Sequence, residues 1–291
     1  MINDCLFRRR LLTNNDKDNC ITIRFGQVGY PGTVRILGEN FDISNVDKIT
    51  LNYKNVEIFK SHTYEEIPEY QFYSIHFKNL TDCSHMLEEC VYSKTGARNS
   101  IDKINLLNLN IKNVTTTKAM FKDSYIEKFI GIDKLDTSNV IDMSEMFFRV
   151  HSGYDYILNL NLWNTSKVET FEKMFSSASL DSFTPVILYL DSWDTSNATN
   201  MFQMFYNQVA ITQLDLSNWD TSKVTNMSGM FQRCLSLQFL KMLGPTNPQA
   251  DVTDMFKDVT SEGTFYYNPN YDYSHIIAQL PTTWTAVPIE Q

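Results

Sequence analysis

The sequence is poor in the residues that build active centres, and each shortage excludes something. Its 5 cysteines, Cys5, Cys20, Cys83, Cys90 and Cys234, form no CxxC pair and stand at no His-paired metal spacing. Their odd number also leaves a complete disulfide framework unfilled. The 5 histidines, His62, His76, His85, His151 and His275, form no HExxH, and no nucleophile elbow occurs. Gly26, Gly29 and Gly32 are followed by neither a helical pattern nor the lysine of a phosphate loop, which argues against nucleotide binding. Positive charge is short as well. Lys and Arg number 25 against 34 Asp and Glu, a formal net charge of −9, with no basic run longer than three residues. A nucleic-acid groove is therefore not the main surface. Long apolar runs are missing: Met1 to Leu12 holds none of signal-peptide length, and no later segment approaches a membrane span. The expectation is a non-enzymatic chain with no cofactor, no metal and no classical export signal. At 43% hydrophobic residues it has material for a substantial core.

What is present is a repeat. The stretch from Trp219 to Phe231, with Asp220-Thr221-Ser222, Val224, Met227 and Met230, recurs upstream. Trp193-Asp194-Thr195-Ser196 leads to Met204-Phe205, Trp163-Asn164-Thr165-Ser166 to Met174-Phe175, and Leu135-Asp136-Thr137-Ser138 to Met146-Phe147. Weaker copies end at Met120-Phe121 and Met86-Leu87, and a shortened one runs from Val252 to Met255-Phe256. The second Met falls at 86, 120, 146, 174, 204, 230 and 255, in steps of 34, 26, 28, 30, 26 and 25. Such periods signal a solenoid, in which stacking rather than any single unit makes the core.

Each unit reads as strand, turn and helix. Leu214 and Leu216, and their counterparts Leu188 and Leu190, Leu158 and Leu160, and Ile130 and Ile132, alternate as in a short strand. Asp-Thr-Ser follows, with oxygens suited to the free amides of a helix start. Val224, Met227, Met230 and Phe231 then fall on one face of a short helix. Four residues past the second Met come small residues such as Ser124, Ala178 and Cys234. Gln208 is the exception, for which looser packing or an outward side chain is expected. The expected fold class is α/β: a leucine-rich-repeat-like solenoid of strand-turn-helix units with a β-rich N-terminal cap.

At Leu214 to Phe231, LDLSNWDTSKVTNMSGMF, the chain resembles the BspA-like leucine-rich repeat proteins, which occur on bacterial surfaces and in phages of gut bacteria. The resemblance spans roughly residues 70 to 260. Gly263 to Tyr267 and Leu280 to Ala286 are similar to the segment that closes such arrays. Thr117 and Cys83 replace the first Met and Ala198 replaces the Val, so those copies depart from the pattern. The resemblance implies a binding or structural surface without catalytic residues. Its partners would be other virion proteins or a host surface protein or glycan. With no export signal in view, the first expectation is a virion component attached to tail or capsid, the alternative a bacterial cell-surface adhesin.

The expected organisation is an arm over 1–17, a β-rich cap over 18–68, the array over 69–260 and a C-terminal cap over 261–291. Within the N-terminal cap, Ile21 to Phe25, Thr33 to Leu37 and Ile49 to Tyr53 read as strands. Ser274 to Leu280 reads as a capping helix. Two candidate interaction sites stand out. Arg8, Arg9 and Arg10 form a basic, partly apolar docking arm on an acidic protein. Arg149, His151, Tyr154 and Tyr156 form a possible recognition cluster in an insertion between copies, where solenoids place surface loops. The recurrent Trp163, Trp193 and Trp219 are expected to stack inside the array rather than to hold sugar. Asp136, Asp194 and Asp220, with Asn164 in the series, supply one side chain per turn. Calcium is conceivable there, but turn hydrogen bonds are the simpler account. Cys83, Cys90 and Cys234 are expected to be small core residues, and Cys5 and Cys20 a possible pair.

Overall fold

The computed structural model describes residues 19–25, 32–52, 54–64, 72–90, 92–94, 97–99, 101–150, 157–177 and 187–290. The array is a β-solenoid, which corrects the α/β expectation. Its strands fall where alternation places them: β10 (Phe129–Ile130), β11 (Ile157–Asn159), β12 (Ile187–Tyr189), β13 (Gln213–Asp215) and β14 (Phe239–Met242). The helix of each unit does not exist. Among the described residues the one α-helix is α1 (Ser274–Ile277), in the C-terminal segment.

In place of each helix stand two consecutive tight turns. In the copy ending at Cys234 the Met230 amide bonds the Met227 carbonyl at 3.1 Å, and the Cys234 amide bonds the Phe231 carbonyl at 3.1 Å. The third residue of each turn has positive φ, 61° at both Gly229 and Arg233, the mark of a type II turn. The same left-handed residues recur at His85 and Glu89, Ala119 and Asp123, Glu145 and Arg149, Gln203 and Asn207, and Asp254 and Asp258. A left-handed residue every fourth position forbids a right-handed helix.

The alternate amides leave the coil altogether. Met227, Gly229, Phe231 and Arg233 donate to Asp251, Thr253, Met255 and Lys257 of the next coil at 2.7 to 3.0 Å. Isolated parallel bridges join Asp82, Thr116, Asp142, Thr170, Asn200, Asn226 and Asp251 in unbroken series along this wall. Side chains at the first and last positions of each turn point inward, so Met227, Met230, Phe231 and Cys234 are all fully buried. That spacing is the i, i+3, i+4, i+7 of an amphipathic helix, and this is why the sequence reads as one.

Like residues stack into columns in the core. Trp163, Trp193 and Trp219 lie 6.3 and 6.1 Å apart with planes 8° and 2° from parallel, as the sequence leads one to expect. Each indole N–H donates to the preceding coil, to the carbonyls of Ile132, Leu160 and Leu190 at 2.8 to 3.2 Å. Phe121, Phe147, Phe175, Phe205, Phe231 and Phe256 form a second column spaced 5.4 to 5.7 Å. Thr137, Thr165 and Thr195 form a third, buried, each hydroxyl donating to the carbonyl of Asn164, Asp194 or Asp220 in the next coil at 2.9 to 3.0 Å. The Asp of Asp-Thr-Ser closes a turn rather than capping a helix: Asp194 Oδ1 accepts from the Ser196 amide at 3.0 Å, Asp220 Oδ1 from Ser222 at 2.9 Å.

Cys83, Cys90 and Cys234 are fully buried in this core as free thiols, and Cys20 is also buried. Cys5 lies outside the described residues. The Cys234 thiol donates to the Phe205 carbonyl at 3.1 Å, and Ser124 makes the equivalent bond to Leu87. Gln208 follows suit: its amide reaches inward to the Phe175 carbonyl, so it is neither loose nor turned outward.

Two sheets cover the N-terminal end. One has six strands in the order β10-β9-β1-β6-β3-β4, built on β1 (Cys20–Phe25), β3 (Val46–Leu51), β4 (Lys54–Val56), β6 (Phe72–Phe77) and β9 (Ile101–Asn108). The other has the order β5-β2-β7-β8, from β2 (Gly32–Arg35), β5 (Ser61–Tyr64), β7 (Tyr92–Lys94) and β8 (Ala97–Asn99). β9 pairs antiparallel with β1 and parallel with β10, so one strand carries the change from sheet to solenoid. Gly38 seats the first coil: its amide bonds the Met86 carbonyl at 3.0 Å, and a Cβ there would lie 1.9 Å from the His85 carbonyl oxygen. At the far end β15 (Thr264–Tyr267) and β16 (Thr285–Pro288) extend the parallel sheet past β14. The helix expected over 274–280 is α1 followed by further turns through Leu280. Trp284, Tyr273 and Ile276 are buried over the last coil.

Candidate functional site

The strand wall is not continuous. β11 pairs with β12, and β13 with β14, but among the described residues no ladder joins β10 to β11 or β12 to β13. Both breaks fall where the coil length changes. β11 and β12 belong to the coils of 28 and 30 residues, and β10 and β13 to coils of 26. The extra residues of the long coils enter just before the strand.

At the second break a cleft of about 790 Å³ opens between β12 and β13. Leu190, Leu214 and Leu240 form its buried floor. Tyr189 and Phe239 stand on its rim, 43% and 46% exposed, with Tyr266 half-buried beside them. Asp191, Gln213, Asp215 and Lys241 supply its polar groups. Two of these are held in place. Asp191 Oδ1 accepts from the Asn161 side-chain amide at 2.8 Å. Asp215 Oδ1 accepts from the Ser217 amide at 3.0 Å, while its Oδ2 lies 3.6 Å from Lys241 Nζ.

Side chains close the bottom where the main-chain ladder fails. The Trp219 indole donates to the Leu190 carbonyl at 3.2 Å, and the Asn218 amide to the Asp191 carbonyl at 2.9 Å. Behind the cleft the turn wall stays shut, since Met201 still bonds Asn226 at 2.8 Å. The opening is thus confined to one wall. Its volume lies within the range of about 300–1,000 Å³ usual for small-ligand sites, and an apolar floor with a few fixed polar groups is their common make-up.

The family comparison fits this geometry of stacked like units. The model described as "Mycoplasma protein of unknown function, DUF285" matches residues 81–187 and again 159–265. The chain belongs to this family. The two matches overlap and together span the coils from the first bridge of the turn wall to β15. No curated protein and no solved structure matches the chain.

Of the seven candidate interaction residues, Arg149 alone lies among the described residues. Its guanidinium pairs with Asp123 of the preceding coil and lies 5.3 Å from the centre of the Phe148 ring. It braces adjacent coils on the turn wall, at a left-handed position with φ 54°. His151, Tyr154 and Tyr156, and Arg8, Arg9 and Arg10, lie outside the described residues, so no recognition cluster around Arg149 can be drawn. Tyr189 and Phe239 are not marked in the sequence because they occupy outward strand positions, which vary from copy to copy; Tyr266 is legible there only as one aromatic of the C-terminal closing segment. Among the described residues no group of three or more His, Cys, Asp and Glu is placed to hold a metal, and no helix is long and apolar enough to cross a membrane.

Proposed function

We propose that the chain is a non-catalytic binding scaffold, with the strand-wall cleft between β12 and β13 as its ligand-contact surface. One observation carries this reading: of the three exposed aromatic side chains among the described residues, Tyr189, Phe239 and Tyr271, two stand beside one cavity. An apolar floor with aromatic side chains at its rim and a few fixed polar groups is the usual make-up of a small-ligand site. The thiols speak in the same direction. Burial pushes Cys234 up to about 12 and Cys83 and Cys90 higher still, far from the thiolate a nucleophile needs.

The resemblance of Leu214 to Phe231 to BspA-like repeats supports the same role, and with it two places of action. The first is a phage virion, attached to tail or capsid and serving assembly or host contact; the second is a bacterial cell surface. A mass-spectrometric inventory of purified particles and of washed cells decides between them. Binding itself is tested by retention of the fluorescently labelled protein on intact cells. The expected result is retention that falls in the Tyr189→Ala/Phe239→Ala double variant. Equal retention of both proteins removes the cleft from the reading, and no retention of either, together with absence from particles, removes the scaffold.

A further inference from the structure

We propose that the cleft between β12 and β13 takes a short neutral oligosaccharide. The inference rests on the binding-scaffold reading and gives its ligand a chemical class. Three features of the cleft converge on it.

The first is the pairing of ring faces with an apolar floor. Tyr189 and Phe239 are 43% and 46% exposed on the rim, whereas the aromatics of the interior columns are buried. A pyranose presents C–H bonds on one face, weakly positive, which lie against the negative face of an aromatic ring. The second is the set of fixed hydrogen-bond acceptors beside those rings. Asp191 and Asp215 are each held by one carboxylate oxygen, through Asn161 at 2.8 Å and Ser217 at 3.0 Å. Held carboxylates accept hydroxyl hydrogens strongly, and neighbouring hydroxyls of a sugar donate in pairs. Gln213 adds both an acceptor and donors. The third is charge. Two carboxylates face one ammonium, Lys241, so the cleft favours a neutral sugar over a sialylated one.

An extended peptide adding to the open sheet is less well served. Such a strand needs main-chain groups to pair with. Here the Leu190 carbonyl is taken by the Trp219 indole, that of Asp191 by Asn218, and that of Thr212 by the amides of Gln238 and Phe239.

The test is a panel of short neutral oligosaccharides built from glucose, galactose, mannose and N-acetylglucosamine, with sialylated counterparts, titrated calorimetrically into the full chain. At least one neutral member should bind, more tightly than its sialylated form. Tyr189→Ala and Phe239→Ala should each weaken it about tenfold, equivalent to about 1.4 kcal/mol, at an unchanged melting temperature. Asp191→Asn should weaken it as well, since a charged acceptor becomes a neutral one. Binding that survives all three variants takes the site away from the cleft and overturns the proposal. If no sugar binds while cells still retain the protein, the saccharide is wrong and the scaffold reading stands. Retention that persists on enzymatically deglycosylated cells, yet is lost in Tyr189→Ala, makes the ligand a protein and likewise sinks the saccharide. Absence of both sugar binding and retention removes the two readings together.

Discussion

The turn wall and the strand wall of this solenoid are made by the same coils, yet one is continuous and the other broken. On the turn wall each coil repeats the same bonds, from the Asp82 bridge to that of Asp251. On the strand wall the ladder stops on either side of β11 and β12. The turn wall is fixed by local chemistry: paired type II turns, an Asx bond at Asp or Asn, and columns of Phe, Trp and Thr that fit only one register. The strand wall has no comparable set of columns: β11, β12 and β13 are three residues each and their outward positions vary from copy to copy. Adjacent coils stay joined at the turns where their strands part. Stability belongs to the first wall, and the room for a ligand to the second.

Substitutions should separate the two walls by the size of their effect. Trp193→Ala removes the middle of the indole column and should cost about 3–5 kcal/mol, read as a fall in denaturation midpoint. Thr195→Val keeps the shape but leaves the Asp220 carbonyl without its 2.9 Å donor, so a loss of about 0.5–1.5 kcal/mol is expected by the same measurement. Gly229→Ala forces a Cβ into a left-handed turn, where it would meet Gln203 Cγ at 3.0 Å; about 1 kcal/mol should be lost. A neutral result for these three would break the claim that the turn wall holds the fold.

Acid should act through the same wall, more gently. Hydrogen bonds from Ser138 and Ser196 hold the Asp136 and Asp194 carboxyls below their ordinary value. A carboxyl lowered in the folded state stabilises above the unfolded value of about 3.9, and that contribution fades as pH falls through the folded value. Asp194→Asn keeps the turn acceptor, as Asn164 does in its own coil, and should flatten the acid limb of a stability-against-pH curve. The smallest effect belongs to the strand wall. Tyr189→Ala, at an exposed position, should leave stability within about 0.5 kcal/mol. A large loss there would show that the cleft is structural.

Much of this was legible in the sequence, and the errors have a common cause. The repeat, its strands, the interior Trp column and the buried thiols all follow from which residues recur at which spacing. The turn segment misled because Met227, Met230, Phe231 and Cys234 carry the periodicity of a helix while folding as two turns. A left-handed glycine would have warned of this, but only one copy has it, at Gly229; the others put His85, Ala119, Glu145, Lys173, Gln203 and Asp254 in the same conformation. Arg149 drew attention as a surface charge and is spent on Asp123. The cleft went unseen because its residues have no repeat signature and come from four successive strands, β12 to β15.

The sequence by itself determined that this chain is a stack of like units, what fills their core and where their strands lie, because recurrence of apolar side chains fixes what must face inward. The tertiary structure decided the rest. An amide's choice between its own coil and the next one depends on an acceptor that only stacking supplies, and that choice makes turns of an apparent helix. Whether neighbouring strands meet depends on two coils at once, which no single unit encodes. The cleft lies where two of them do not pair.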